Sequence, residues 1–413
     1  MKIQLKKNTL SKILEVFAKI AKEPENRWEE DLRKVLIIAN KDELGGEIVF
    51  STYGHKNCTQ EIQAKYCLNT SEEVVILEEG KVVLPALDIY NKIKDIPNCT
   101  ITLEIIKNCC NITYDNTLLC INILDSTGIT PTDPLYYLTS DEYLHTSFSK
   151  KSFDNMARKT LLACRPYEYG DKILDDKIQF KFKEEGSCQV FATDASQALN
   201  YIFLQPEQCS LLDSEFRIIS PKSFIKLAKN ILKILKLKKD DYITLNFSKD
   251  RKIIQFIADY LIFTLILDEP LVWSTVQDNK GNLKNPDFSI VCKGFVENLN
   301  QTFTAERDKL LQFVKYTKKT MIKHHDAIKI ELNTDSITLN YYDKNKTTFP
   351  CEFKGDPYAI WVNVKLFLNM LTLIEKEKIT VKFEKNTNEK HYPLYSTDDE
   401  NTKFIFMPCA KQE

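Results

Sequence analysis

Apolar residues recur at Leu10, Ile13, Leu14, Phe17 and Ile20, the three-and-four spacing that gives a helix one buried face. Asn8 or Ser11 stands where it can cap the start of that helix. The rhythm then shortens. Runs such as KVLIIA (34–39), EIVFST (47–52), IQFKFK (178–183) and CQVFAT (188–193) read as half-buried antiparallel strands. Helical spacing returns at 149–164 and 304–319, again followed by strand-like runs.

A second signature lies between these helices: a short strand, then Pro or a polar residue, an amphipathic helix, and a β-rich stretch. Its copies are VVLPALDIYNKIKDIPNCTITLEI (82–105), RIISPKSFIKLAKNILKILKLKKDDYITLNF (217–247) and AIWVNVKLFLNMLTLIEKEKITVKF (359–383). The matching strand residues Ile101, Ile243 and Ile379 are 142 and 136 apart, and the helix starts Pro85, Pro221 and Val364 are 136 and 143 apart. Two anchors thus agree on a period near 140, and three such units fill the 413 residues. The predicted fold class is α+β, with three repeated domains at 1–130, 138–278 and 286–413. Each domain is expected to hold two helix-plus-antiparallel-sheet halves, giving six helices. Polar, turn-rich linkers are expected at 125–135 and 276–288.

Charge changes this picture more than composition does. The chain is nearly neutral, with a formal charge of −1. Yet residues 220–239 carry seven lysines and no acidic residue, and the six helical segments together sum to +20. A basic helical layer on an acidic body suits a phosphate backbone held by sequence-independent electrostatics.

Other classes find little support. The ten glycines form neither a phosphate-binding P-loop nor a dinucleotide-binding G-x-G-x-x-G. The five histidines fall in no metal-ligand spacing, so no metal and no cofactor is expected. The twelve cysteines form no C-x-x-C pair and are expected to be reduced. The longest apolar run, YLIFTLIL (260–267), suits a buried strand rather than a membrane span, and the N-terminus is too often interrupted by charge for a secretory signal. No membrane partner and a cytoplasmic location follow as expectations. An enzyme would have to use His324, His325 and Asp326 or the Cys109–Cys110 pair, yet adjacent residues on a strand point to opposite faces. A scaffold that binds only proteins, without encircling anything, remains the main alternative.

The threefold repeat, the segment VFATDASQAL, the segment LILDEPLVW and the terminal KFIFMPCAKQE occur in an order that resembles the bacterial DNA polymerase III beta subunits, the replicative sliding clamps. That resemblance extends over essentially the whole chain. It implies a non-catalytic homodimeric ring around double-stranded DNA, with helices lining the channel and sheets outside. Under it, Lys150, Lys151, Arg158, Lys159, Lys222, Lys226, Lys229 and Lys233 become channel candidates, and Arg27 and Arg165 align near DNA. Leu119 and Ile121 fall near the family's interface strand.

The resemblance also implies a surface groove for linear peptides of the replicative polymerase, the clamp loader and repair proteins. Its carried-over positions are Leu174, Thr193, Ala195, Ser196, Gln197, Ala198, Pro270, Ile405, Met407, Pro408 and Cys409. Ser196-Gln197 stands where the family has His-Arg, and Cys409-Ala410 where it has Met-Arg, which implies a different peptide preference. Asp194, between Thr193 and Ala195, is expected to cap its own turn.

Overall fold

A computed structural model describes the chain apart from residues 23–29, 42, 44, 58–59, 125–142, 164–176, 194–197, 211, 213, 272–295, 298, 322–325, 343–344, 386–392, 400–401 and 410–413. The expected linkers therefore lie outside the described residues, as do Arg27, Arg165, Leu174, Asp194, Ala195, Ser196 and Gln197.

The element order recurs. It opens with β1 (Lys2–Lys6), α1 (Lys7–Ile20), β2 (Lys34–Asn40), β3 (Glu47–Asn57), β4 (Gln60–Asn69), β5 (Val74–Glu78), β6 (Gly80–Pro85), α2 (Ala86–Lys94), β7 (Thr100–Ile106), β8 (Cys109–Tyr114) and β9 (Thr117–Asn122). It repeats as β10 (Tyr143–Ser149), α3 (Lys150–Ala163), β11 (Lys177–Phe182), β12 (Cys188–Thr193), β13 (Ala198–Leu204), β14 (Gln208–Cys209), β15 (Phe216–Pro221), α4 (Lys222–Leu235), β16 (Tyr242–Ser248), β17 (Ile253–Ala258) and β18 (Leu261–Leu267). The last round is β19 (Gln301–Glu306), α5 (Arg307–Thr320), β20 (Ala327–Asn333), β21 (Ser336–Tyr341), β22 (Asn345–Lys354), β23 (Tyr358–Asn363), α6 (Val364–Leu373), β24 (Lys378–Phe383), β25 (Leu394–Asp399) and β26 (Thr402–Phe406). Here the single long β22 does the duty of two shorter strands.

The start of each leading helix is satisfied in the same way. The first N–H groups of a helix have no partner within it. Lys7 N–H donates to Cys99 O at 2.9 Å, Lys150 N–H to Asp241 O at 2.8 Å, and Arg307 N–H to Glu377 O at 2.8 Å. Those carbonyls sit two residues before Ile101, Ile243 and Ile379, which are all buried and pair with Leu5, Phe148 and Ala305. Backbone thus replaces the side-chain cap expected at Asn8 or Ser11, because α1 follows β1 directly with Lys6 at its N-cap. Two helices show the side-chain form as well: Ser149 Oγ accepts from Ser152 N–H at 3.2 Å at the start of α3, and at α6 Asn363 Oδ1 accepts from Lys365 N–H at 2.9 Å and Leu366 N–H at 3.2 Å.

Three antiparallel sheets carry these strands, in the orders β5-β1-β7-β8-β9, β14-β10-β16-β17-β18-β4-β3-β2-β6, and β15-β11-β12-β13-β26-β25-β24-β19-β22-β21-β20-β23. The chain forms two compact units. One holds the first two sheets and comprises residues 1–154, 206–211 and 223–271; the other holds the third sheet and comprises residues 155–205, 212–222 and 272–413. Within the first, β18 pairs with β4, from Leu261↔Tyr66 to Leu267↔Gln60. Within the second, β26 pairs with β13, from Phe406↔Ala198 to Thr402↔Ile202.

The core lies where helices meet these sheets. In the second unit one apolar cluster joins Leu310 and Val314 of α5, Phe367 and Met370 of α6, and strand residues such as Ile328, Leu339 and Val381. In the first, Phe224 of α4 stacks on Phe263 of β18 with ring centroids 4.9 Å apart. Replacing Phe224 with Ala removes that buried ring and is expected to cost about 3–5 kcal/mol. The check is the denaturant midpoint of the variant against the parent chain.

Candidate nucleic-acid and peptide interfaces

The basic character of α4 is arranged, not scattered. Phe224, Ile225, Leu227, Ala228, Ile231, Leu232, Ile234 and Leu235 face the core. Lys222, Lys226, Lys229 and Lys233 follow one another at steps of four, three and four, which places them along a single stripe. Lys226 and Lys233 are exposed; Lys222 and Lys229 are half-buried.

On α3 the picture divides. Lys151 is exposed, and Lys150 Nζ lies 2.8 Å from Asp154 Oδ2. Arg158 is engaged within the protein: its guanidinium meets the Glu375 carboxylate and donates to Asn155 Oδ1 at 3.1 Å. Lys159 departs from expectation. It is 1% exposed and donates from Nζ to Thr402 Oγ1 at 2.8 Å, so it bonds inward to β26 and has no surface to offer a phosphate. Adjacent helical residues diverge by roughly 100°, so Arg158 and Lys159 could not share one face. The exposed Lys315, Lys318 and Lys319 on α5 add positive charge that the candidate residues omitted; their signal was the lysine spacing itself.

The groove positions that are described gather at one place in the second unit. Register runs Thr193↔Leu199, Leu199↔Ile405 and Ile405↔Tyr395, across β12, β13, β26 and β25. Directly opposed residues of antiparallel strands share a face, so Thr193, Ile405 and Tyr395 do. Thr193 and Ile405 are buried rather than open to solvent. Met407, Pro408 and Cys409 follow β26 half-exposed, and Cys409 N–H donates to Trp361 O at 2.8 Å, which ties this tail to β23. Ala198 opposes Phe406 in the strand register, and Pro270, half-exposed after β18, belongs to the first unit. Phe191 and Tyr395 complete the apolar patch and were missed; alternation with Thr193 marked Phe191, whereas nothing local marked Tyr395.

The open edges matter as well. Among the described residues β9 pairs only with β8, and the Asn345–Pro350 half of β22 pairs only with β21. Ile121 is buried within its own sheet and Leu119 is half-buried, while Leu118 is 61% exposed at that edge.

The candidate enzymatic groups have structural uses. Cys109 and Cys120 are joined as a disulfide across β8 and β9, contrary to the expectation that all the cysteines are reduced. Burial pushes the Cys110 thiol up to about 12, far from a reactive thiolate. The Asp326 carboxylate accepts from Asn363 Nδ2 at 2.5 Å, and so steadies the residue that caps α6. His324 and His325 lie outside the described residues. No helix among the described residues is long and apolar enough to cross a membrane.

No protein-family model and no curated protein matches this chain. Solved structures do. A Bacillus subtilis DNA polymerase sliding clamp is similar at TM-score 0.78 and 16% identity, covering 100% of each chain. A putative DNA polymerase III beta subunit from Eubacterium rectale is similar at TM-score 0.75 and 14% identity, again over 100% of each chain. The Helicobacter pylori beta clamp bound to a DNA ligase peptide is similar at TM-score 0.73 and 15% identity, covering 99% of this chain and 100% of that one. The chain therefore has the fold of the bacterial beta clamps from end to end.

Proposed function

We propose that this protein is a DNA sliding clamp, a non-catalytic homodimeric ring that encircles duplex DNA and tethers the replicative polymerase. One observation carries the reading. The last strand of the middle repeat pairs with β4, and the last strand of the final repeat pairs with β13. By the same rule β9, the last strand of the first repeat, calls for the equivalent of β4 and β13, which is the first half of β22. Both of those edges lack a strand partner among the described residues. Two copies arranged head to tail satisfy both edges twice and close a ring of six domains, bounded near 1–130, 138–278 and 286–413 in each chain. A particle of about 96 kDa, twice the 48.0 kDa chain, is expected.

The α4 lysine stripe then serves duplex DNA through phosphate contacts alone, which carry no sequence information and permit sliding. Arg27, Arg165, Lys150 and Lys151 join it in this reading. The decisive experiment loads the protein onto nicked circular DNA and linearises half the sample. A clamp stays on the circle and leaves the linear ends; equal retention would end the proposal.

The groove around Thr193, Ile405 and Met407 is proposed to receive linear peptides of the polymerase, the clamp loader and repair proteins. The Helicobacter pylori relative, which carries a DNA ligase peptide, supplies a usable probe. Met407 offers an adaptable apolar wall. Met407→Ala combined with Leu174→Ala is expected to weaken binding of that ligase peptide at least tenfold, leaving the particle mass unchanged. Undiminished binding would move the groove elsewhere.

A further inference from the structure

The outward face of β11 and β12 is polar in sequence apart from Phe191, and it is buried in the structure. Gln179 and Lys181 on β11, with Gln189 and Thr193 on β12, are at most 6% exposed. The other face of the same strands, with Ile178, Phe180, Val190 and Ala192, is the core. A sheet with one polar face ordinarily shows that face to water. The corresponding strand β20 does so: Lys329 and Glu331 are half-exposed and pair with each other at 2.5 Å. The middle repeat is therefore covered where the last one is open.

Part of the cover is visible. Val296 and Leu299 pack on Phe191, Tyr395 and Ile405. Leu299 N–H donates to Val296 O at 3.3 Å, forming a tight turn, and Asn300 N–H donates to Glu384 Oε2 at 3.3 Å just before β19. This puts two aliphatic side chains, three residues apart, against the patch that shares Ile405 with the proposed groove.

The cover fits imperfectly. Both amide atoms of Gln179 and Oε1 of Gln189 have no hydrogen-bond partner among the described residues. Buried polar groups without partners disfavour the covered state relative to a hydrated one. Gln179 opposes Phe191 in the strand register, so its unpaired amide lies beside the ring on which Val296 and Leu299 pack, the arrangement expected under a displaceable segment.

We propose that Val296 and Leu299 are a built-in competitor for the peptide groove, and that a partner peptide engages Phe191, Tyr395 and Ile405 with its own aliphatic anchors by displacing them. The proposal rests on the groove reading above. It adds a partner chemistry: two branched aliphatic side chains spaced to match Val296 and Leu299.

The test uses the full chain and two fluorescent probes, the ligase peptide and a peptide of residues 293–301 (KGFVENLNQ). In the Val296→Asp, Leu299→Asp variant both probes are expected to bind at least tenfold tighter than to the parent, and each to displace the other. Equal ligase-peptide affinity for parent and variant leaves the groove standing and overturns the competition. Binding of KGFVENLNQ that the ligase peptide does not displace, or no binding of either probe to the variant, overturns both. Should the aspartates unfold the chain, hydrogen exchange on the unaltered protein decides. Saturating ligase peptide is expected to speed exchange at the Leu299 amide at least tenfold, and an unchanged rate sinks the proposal.

Discussion

Replacing Leu118 and Leu119 with Asp is expected to convert a particle of about 96 kDa into single chains of 48.0 kDa. Leu118 is 61% exposed and Leu119 half-buried at the free edge of β9, so the single chain loses little of its own packing. In the proposed ring the same residues lie against a second copy's Asn345–Pro350 strand. Two carboxylates there would be desolvated without a partner. A rise in the dissociation constant of about 100-fold or more is expected, roughly 2.7 kcal/mol. Sedimentation over a concentration series measures it. A variant that stays at the dimer mass, or a parent already at 48.0 kDa, contradicts the ring. Ile121 makes a poor probe by comparison: it is buried within its own sheet, so its substitution would confuse folding with assembly.

Removing the charges of Lys226 and Lys233 with Gln is the second large effect. Both side chains are exposed on the stripe of α4. Each lysine–phosphate pairing removed lowers the slope of log K against log salt by about 0.9, so the double substitution should lower it by about 1.8. Affinity should fall equally for unrelated duplexes, because phosphate contacts do not read bases. The melting temperature should stay within about a degree of the parent, as is usual for exposed positions. Lys159→Gln supplies the contrast. It breaks a buried bond to Thr402, and should lower stability while leaving the salt slope intact. A salt slope that responded to Lys159 and ignored Lys226 and Lys233 would place the DNA elsewhere.

Much of the architecture was legible along the chain. The threefold period rests on Ile101, Ile243 and Ile379, and all three occupy one structural position, opposite the strand that leads into the first helix of each repeat. The α4 stripe was equally plain, since helical facing depends on spacing alone. Lys159 was not. Its neighbour Arg158 has the same charge and helix, but only the arrival of Thr402, 243 residues away, makes one of them interior. The Cys109–Cys120 disulfide depends in the same way on β8 and β9 folding back on each other.

Periodicity is a local property, set by 3.6 residues per helical turn and two per strand repeat. From it come the helices, the strands, the repeat and the basic stripe. Which strand lies beside which, and what settles over an outward face, depends on residues distant in sequence. That is why the pairings β4–β18 and β13–β26, the two open edges they imply, and the turn of Val296 and Leu299 over Phe191, Tyr395 and Ile405 emerged only in three dimensions.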